Sequence, residues 1–360
     1  MKILHVITSL YTGGAEMLVV NLLPRFHDLG HDVGVAVFNG KHTALMERLE
    51  KECPDCKIYK LGNSFYNPWY IFKLLSIIKK YDIIHTHISS PQLYVSIANI
   101  FCHKKLITTE HSTNNRKRNN FLFALMDMWM YAQYDRIICI SDRAEVNLRK
   151  YLRNDFVKSR IMTICNGVDI KCFFDAKPLD ELKKNRFVIV MVAAFRPEKD
   201  HGTLVKAMQM LPKDLYEVWL VGDGECLHQI KELANRLNVC DCVKFLGTRL
   251  DVPNILRTAD VVVLSTHYEG LSLSNIEGMA AGKPFVASDV QGVREVTANY
   301  GILVPPQDPE SLAKVIQKLH DNKSFYQEVA NRCYERAKQF DISEMVKQYN
   351  EVYMSLNYGV

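Results

Sequence analysis

No stretch of this 360-residue chain is apolar for long enough to cross a bilayer: the run through Val188 to Phe195 falls far short of the roughly 20 residues needed. The opening MKILHVITSLYTGGAE lacks the form of a secretory signal, because His5, Thr8 and Ser9 break its apolar stretch and no cleavage-like site follows. The expected location is therefore cytoplasmic. Zinc spacing is missing too: Cys53 with Cys56 and Cys240 with Cys242 have neither a matching second pair nor histidines at the right interval. The ten cysteines are expected as reduced thiols, with no structural metal. The first glycine turn, GGAEML, lacks the later glycine of G-x-G-x-x-G, and no acidic residue closes the next strand in the right way, which argues against a nicotinamide enzyme. There are no repeats and no low-complexity runs. With 48% apolar and 24% charged residues, wholesale disorder is excluded as well.

What is present is length enough for two domains. Charge divides unevenly: residues 1–170 hold 22 Lys+Arg against 15 Asp+Glu, while the remainder hold 23 against 25. Part of the excess is Lys104, Lys105, Arg116, Lys117 and Arg118, a cluster that suits an acidic ligand or surface as well as it suits a solvated face. KILHVITS, VGVAVFN, DIIHTHI, KLITTEH and RIICIS read as strands separated by helical periodicity, so the sheet should be mainly parallel. The pattern loosens at AKPLDELKKNR, which places a boundary near 170–186. It then restarts with FVIVMVAAF, EVWLVGDG, VKFLG, VVVLST and PFVASD. The expected fold class is α/β, two doubly wound domains over 1–170 and 187–339, with a C-terminal helical segment over 340–360 that packs on one or the other.

Ligands of open parallel sheets bind beyond the carboxyl ends of the strands. Gly13 and Gly14 follow the first strand and open a helix, which suits phosphate or sugar oxygens, although a glycine pair alone is more often a tight turn. His85, His87 and His111 fall in or just after strands. The first two share a strand face, where a core role is as good an explanation as ligand contact, and His111 is the better candidate for direct contact. Arg196 and Lys199 follow a buried strand, where cations would neutralise a diphosphate; a plain surface pair explains them equally well in isolation. STHYEGLSLSNIEGMAAGKP sets Glu269 and Glu277 eight positions apart around a helix start. Carboxylates suit paired sugar hydroxyls and backbone amides suit phosphate oxygens, a combination that packing does not require.

Taken in order, GGAE, TEH, NGVD, RPEKDH, VGDGE, FLG, EGLSLSNIE, AGKP and GVREV resemble the retaining glycosyltransferases of family 4 over nearly the whole chain. The spacing of Glu269 and Glu277 matches that family's E-x7-E motif. The resemblance implies the GT-B fold of two facing Rossmann-like domains, a hexosyltransferase-type activity, a nucleotide-sugar donor held by the second domain and an acceptor held by the first. By the same resemblance Glu277 holds ribose hydroxyls, Glu269 the donor sugar, and Gly270, Leu271, Ser272 and Leu273 offer amides to sugar and phosphate. Arg196 and Lys199 steady the departing diphosphate, with Gly13 and Gly14 against the same group, and His111 touches the transferred sugar. Gly222, Asp223, Phe245, Leu246, Gly247 and Thr248 lie by the nucleoside. Nothing implies a metal or other cofactor: no Asp-x-Asp triplet occurs, and no carboxylate stands out as a double-displacement nucleophile, which favours front-face transfer. One departure is Ala194, where the family commonly carries its arginine; Arg196 serves instead only if the strand stays extended to that point.

A non-hydrolysing nucleotide-sugar epimerase of similar architecture is the competing enzyme class, and a catalytically silent sugar-binding protein is a third. The motif order argues against the former, and the intact Glu269, Glu277, Lys199 and His111 against the latter. The default donor is a UDP-sugar, and the acceptor is a glycan or lipid-linked saccharide of cell-envelope polysaccharide or lipopolysaccharide synthesis, with no nucleic-acid partner. Residues 115–134 join a basic cluster to an aromatic and Met-rich helix, which fits a peripheral site on the cytoplasmic membrane face or a core helix equally.

Overall fold

The computed structural model describes residues 1–11, 13–111, 121–179, 181–182, 185–269 and 273–358. These fall into two compact units, one of Met1–Asn166 with Ser343–Val360 and one of Gly167–Ile342.

In the first unit the strands are β1 (Lys2–Ile7), β2 (Asp32–Asn39), β3 (Lys57–Gly62), β4 (Ile83–His87), β5 (Lys105–Glu110), β6 (Arg136–Cys139) and β7 (Ile161–Thr163). They form one parallel sheet in the order β3-β2-β1-β4-β5-β6-β7. Chain order reverses direction between β1 and β4, the position where a doubly wound sheet opens its crevice. The helices are α1 (Gly14–Asp28), α2 (Ala44–Glu52), α3 (Tyr70–Ile78), α4 (Ser89–Asn99), α5 (Phe121–Ala132), α6 (Asp142–Tyr151) and α7 (Asp155–Lys158). Side chains of Thr43, Ser141 and Asn154 cap α2, α6 and α7, each accepting from a backbone N–H that the helix leaves open. Lys57–Gly62 and Ile161–Thr163 lack the apolar density of the five strands read from sequence. They sit at the two edges of the sheet, where one side faces solvent.

The second unit repeats the plan. Helix α8 (Ile170–Phe174) leads into β8 (Phe187–Val192), α9 (His201–Gln209), β9 (Tyr216–Val221), α10 (Leu227–Arg236), β10 (Val243–Gly247), α11 (Val252–Thr258), β11 (Val261–Leu264), α12 (Leu273–Ala280), β12 (Phe285–Ser288), α13 (Arg294–Thr297), β13 (Ile302–Val304), α14 (Pro309–Asp321) and α15 (Lys323–Ala337). The sheet is again wholly parallel, in the order β10-β9-β8-β11-β12-β13, with the switch between β8 and β11. Val188, Ile189, Val190 and Met191 are fully buried because helices cover both faces, and a continuous apolar run is what such a strand requires.

The last helix, α16 (Ile342–Tyr358), follows the second unit in sequence but belongs to the first from Ser343 onward. Its Tyr349 and Tyr353 are fully buried there, and Asn350 Oδ1 accepts from His31 Nε2 at 2.8 Å. The first unit thus ends at Asn166, close to the expected limit of 170, and is completed by the C-terminus.

Candidate functional site

In the second unit the loops beyond β8, β9, β10 and β11 are laced together by backbone hydrogen bonds. Beyond β8, Ala193 N–H donates to Val221 and Phe195 N–H to Asp223, while Gly222 N–H reaches back to Gly247 at 2.9 Å. Gly222 and Gly224 have φ of +142° and +152°, and a Cβ on either would run into the carbonyl of Ala193 or Phe195. Only glycine admits so close an approach in that conformation. The pairing of β10 with β9 slips between Phe245 and Gly247, so Leu246 is the extra residue of a bulge beside Gly222. Asp223 accepts from Gly224 N–H at 2.8 Å, and Thr248 is exposed just past the strand. Gly222, Asp223, Phe245, Leu246, Gly247 and Thr248, distant in sequence, therefore meet at one end of the sheet.

The strand does not stay extended to Arg196. β8 stops at Val192, and Arg196 N–H donates to the Ala194 carbonyl at 2.8 Å, so the chain bends between the two and the face shared by alternate residues is lost. Arg196 is 65% exposed, with Glu198 4.0 Å away. Lys199 is different. Its ammonium pairs with the Glu269 carboxylate, and the two side chains are only 16% and 10% exposed. The surrounding loops are tied: His267 N–H and the Thr266 hydroxyl both donate to the Glu198 carbonyl, and the Ser265 hydroxyl donates to Asp200 at 2.7 Å. Asp200 then caps α9 by accepting from Thr203 N–H. Lys199 and Glu269 thus stand together at the β8/β11 switch point, held from both sides.

Gly270, Leu271 and Ser272 lie outside the described residues. Leu273 opens α12, and Glu277 sits one turn in, half-buried, its carboxyl pushed by burial from 4.5 up to about 7. Gly278 follows. A Cβ there would come within 2.8 Å of Val262 and Phe285, so glycine lets α12 lie close on β11 and β12 and fixes where Glu277 stands.

In the first unit Gly13 is extended backbone at the start of α1, and Gly14 is exposed. The Glu16 carboxylate folds back over Gly13, and burial raises its affinity for a proton while its own backbone N–H works the other way. An acidic group thus occupies the helix N-terminus to which the sequence assigned a phosphate. His111 follows β5, half-buried, with Nε2 3.0 Å from His87 Nδ1. Burial lowers it to about 4, so the ring is neutral. His5, His85 and His87 form a fully buried group whose ring nitrogens lie within 4.8 Å of one another, a set with the chemistry to ligate a metal. The contribution of β1 to this group was missed from sequence, because His5 lies some 80 positions from its neighbours. Ile88 was missed too: a β-branched residue with φ +69° directly after β4, it carries backbone strain at the switch point that no pattern of residues signals.

Of the stretch at 115–134, Arg116, Lys117 and Arg118 lie outside the described residues. Helix α5 buries Met130 and Tyr131 and exposes Leu125 and Trp129, so it has a core face and an apolar outer face. No helix among the described residues is long and apolar enough to cross a membrane.

Family models match both parts of the chain: "Glycosyltransferase Family 4" over residues 12–171 and "Glycosyl transferases group 1" over residues 175–340. The chain is 26% identical over 310 residues to an Escherichia coli UDP-Gal:alpha-D-GlcNAc-diphosphoundecaprenol alpha-1,3-galactosyltransferase, covering 79% of this chain and 78% of that one. It is 26% identical over 362 residues to the phosphatidyl-myo-inositol mannosyltransferase of Mycolicibacterium smegmatis, covering 96% and 91%. Its fold matches the crystal structure of Anabaena HepE in complex with UDP-glucose, with a TM-score of 0.84 at 22% identity over 99% of this chain and 100% of that one. With two parallel doubly wound units and both family models accounted for, the chain belongs to the family 4 glycosyltransferases of GT-B fold.

Proposed function

We propose that this protein transfers a hexose from a UDP-sugar to a hydroxyl of a glycan or lipid-linked acceptor with retention of configuration, and that it does so without a metal. The observation that carries the reading is the Lys199–Glu269 pair at the switch point of the second unit, beside the glycine-lined loops of Gly222 and Gly247. A lysine held against a carboxylate in a largely buried loop is preorganised positive charge, which stabilises a departing diphosphate more than a mobile surface cation does. Glu277 accepts from the ribose hydroxyls and Glu269 from the donor sugar. Arg196 adds a second, more exposed charge. The bond from the anomeric carbon to the diphosphate oxygen breaks, the acceptor oxygen attacks on the same face, and its proton passes to the departing phosphate oxygen. The lipid-linked substrate named for the Escherichia coli relative and the UDP-glucose of HepE support this choice of donor and acceptor. The setting is envelope glycan assembly at the cytoplasmic membrane face.

The test is thermal stabilisation over a panel of UDP-, GDP- and ADP-sugars, followed by NMR assignment of the product anomer. A UDP-hexose at one hundred times its Kd should add about 2.7 kcal/mol and raise Tm by roughly 5 to 10 °C. Product should form in the presence of EDTA with the α configuration kept. No stabilisation by any member, or an inverted product, would sink the reading.

A further inference from the structure

Four histidines of the first unit, His5, His85, His87 and His111, lie on a single line of hydrogen bonds. His111 Nε2 is 3.0 Å from His87 Nδ1, and His87 Nε2 is 2.9 Å from His5 Nδ1. His5 Nε2 lies 3.5 Å from the Tyr353 hydroxyl, which is 2.6 Å from His85 Nδ1. His85 Nε2 meets the Thr109 hydroxyl at 2.7 Å, and Thr109 meets the Tyr349 hydroxyl at 3.2 Å. Four elements contribute: β1, β4, β5 and α16.

Proton bookkeeping gives this line a direction. Burial keeps all four rings neutral: His5 is lowered to about 3, His111 to about 4, and His85 and His87 well below the ordinary value, where neighbouring histidines add to the effect. Each ring then has one N–H and one bare nitrogen, and each hydroxyl has one proton. Seven groups with one proton apiece serve six links, so one proton is left over, either at an end or on the Tyr353 or Thr109 hydroxyl if that oxygen accepts from both neighbours. Were it left on Tyr349, Tyr353 or Thr109, a fully buried O–H would have no further acceptor among the described residues, at a cost of about 1–3 kcal/mol. Left at His111, it lies on Nδ1 at the end of β5, the half-buried end of the line. The donors therefore all point one way, from Tyr349 through Thr109, His85, Tyr353, His5 and His87 to His111.

We propose that His5, His85, His87 and Tyr353 are positioning residues that hold His111 as its Nδ1–H tautomer, so that it presents a fixed hydrogen-bond donor to an oxygen of the bound sugar. The identity of that ligand rests on the transferase reading; the tautomer does not. A metal on His5, His85 and His87 fits the same geometry less well, because a cation would have to break the His5–His87 bond and displace Tyr353 or Thr109 from His85.

The experiment is 15N NMR of the histidine rings in the full-length protein and in Tyr353→Phe, with Tm, kcat and KM measured alongside. The wild type should show His111 neutral and protonated on Nδ1. In Tyr353→Phe, His5 Nε2 loses its donor, the order of the line is released, and His111 should shift to mixed tautomers. With a nucleotide sugar that is turned over, kcat should fall about tenfold while donor KM stays within twofold. His111 protonated on Nε2 in the wild type overturns the proposal even if the variant fails to fold. So does an unchanged tautomer in Tyr353→Phe, or one equivalent of zinc bound on addition of zinc alone. The expected NMR pattern without turnover of any nucleotide sugar would sink the transferase reading and leave the relay standing.

Discussion

Two carboxylates of the second unit are held in different ways, Glu277 by burial without a cation among the described residues and Glu269 against Lys199. Glu277 is protonated in the native state up to about pH 7, whereas in the unfolded chain it ionises from about 4.5. The native state thus holds the extra proton, and this group's contribution to stability is present below pH 4.5 and lost as pH rises toward 7. Glu277→Gln should remove that loss, leaving the unliganded variant more stable than wild type at pH 8 by about 3 kcal/mol and close to it at about pH 4. Melting temperatures across that range check this, and parallel curves for the two proteins would contradict it. Glu269 is partnered instead. Lys199→Ala strands a largely buried carboxylate and should cost about 3 kcal/mol, together with at least a hundredfold in kcat/KM. Adding Glu269→Gln should recover Tm but not rate; recovery of both would mean that Lys199 acts only on Glu269.

At the level of elements, the loops beyond β8 and β9 depend on glycine more than on any side chain. Gly224→Ala places a methyl on the Phe195 carbonyl at φ +152°, and urea denaturation should register a loss of about 2–4 kcal/mol with donor affinity falling in step. Within ±0.5 kcal/mol of wild type, the close approach would not be needed. Strands with continuous apolar runs, such as β8, were legible from sequence because burial on both faces leaves no polar position. Edge strands β3, β7 and β13 were not: they are short or partly exposed, and their residues answer to neighbours that local pattern does not reveal. The same limit applies to Arg196. Its position in an extended strand follows from alternation, but the hydrogen bond between Arg196 and Ala194 ends the alternation first.

For the whole molecule, the C-terminal helix is a structural part of the first unit. Met345, Val346, Tyr349, Val352, Tyr353 and Leu356 are all buried. At about 1.5–3 kcal/mol per large apolar side chain, their loss is comparable to the entire stability of a domain. A chain ending at Ile342 should therefore keep a cooperative transition for the second unit in calorimetry, while the first unit loses its transition and its near-UV circular dichroism. Two intact transitions would show α16 to be dispensable.

The sequence by itself determined the family and the two parallel sheets, and it nominated the residues proposed to carry the chemistry. Each of these is written locally, in apolar runs, glycine turns and motifs whose order survives reading along the chain. It singled out Glu269 and Glu277 through their spacing, and His111 through its place after a strand. Only the tertiary structure decided that Lys199 rather than Arg196 is the cation held against Glu269, that α16 closes the first unit, and that His5 and Tyr353, 348 positions apart, belong to one line of hydrogen bonds. Hydrogen bonds act over about 3 Å in space whatever the separation along the chain, and burial sets protonation through surroundings that no single segment contains.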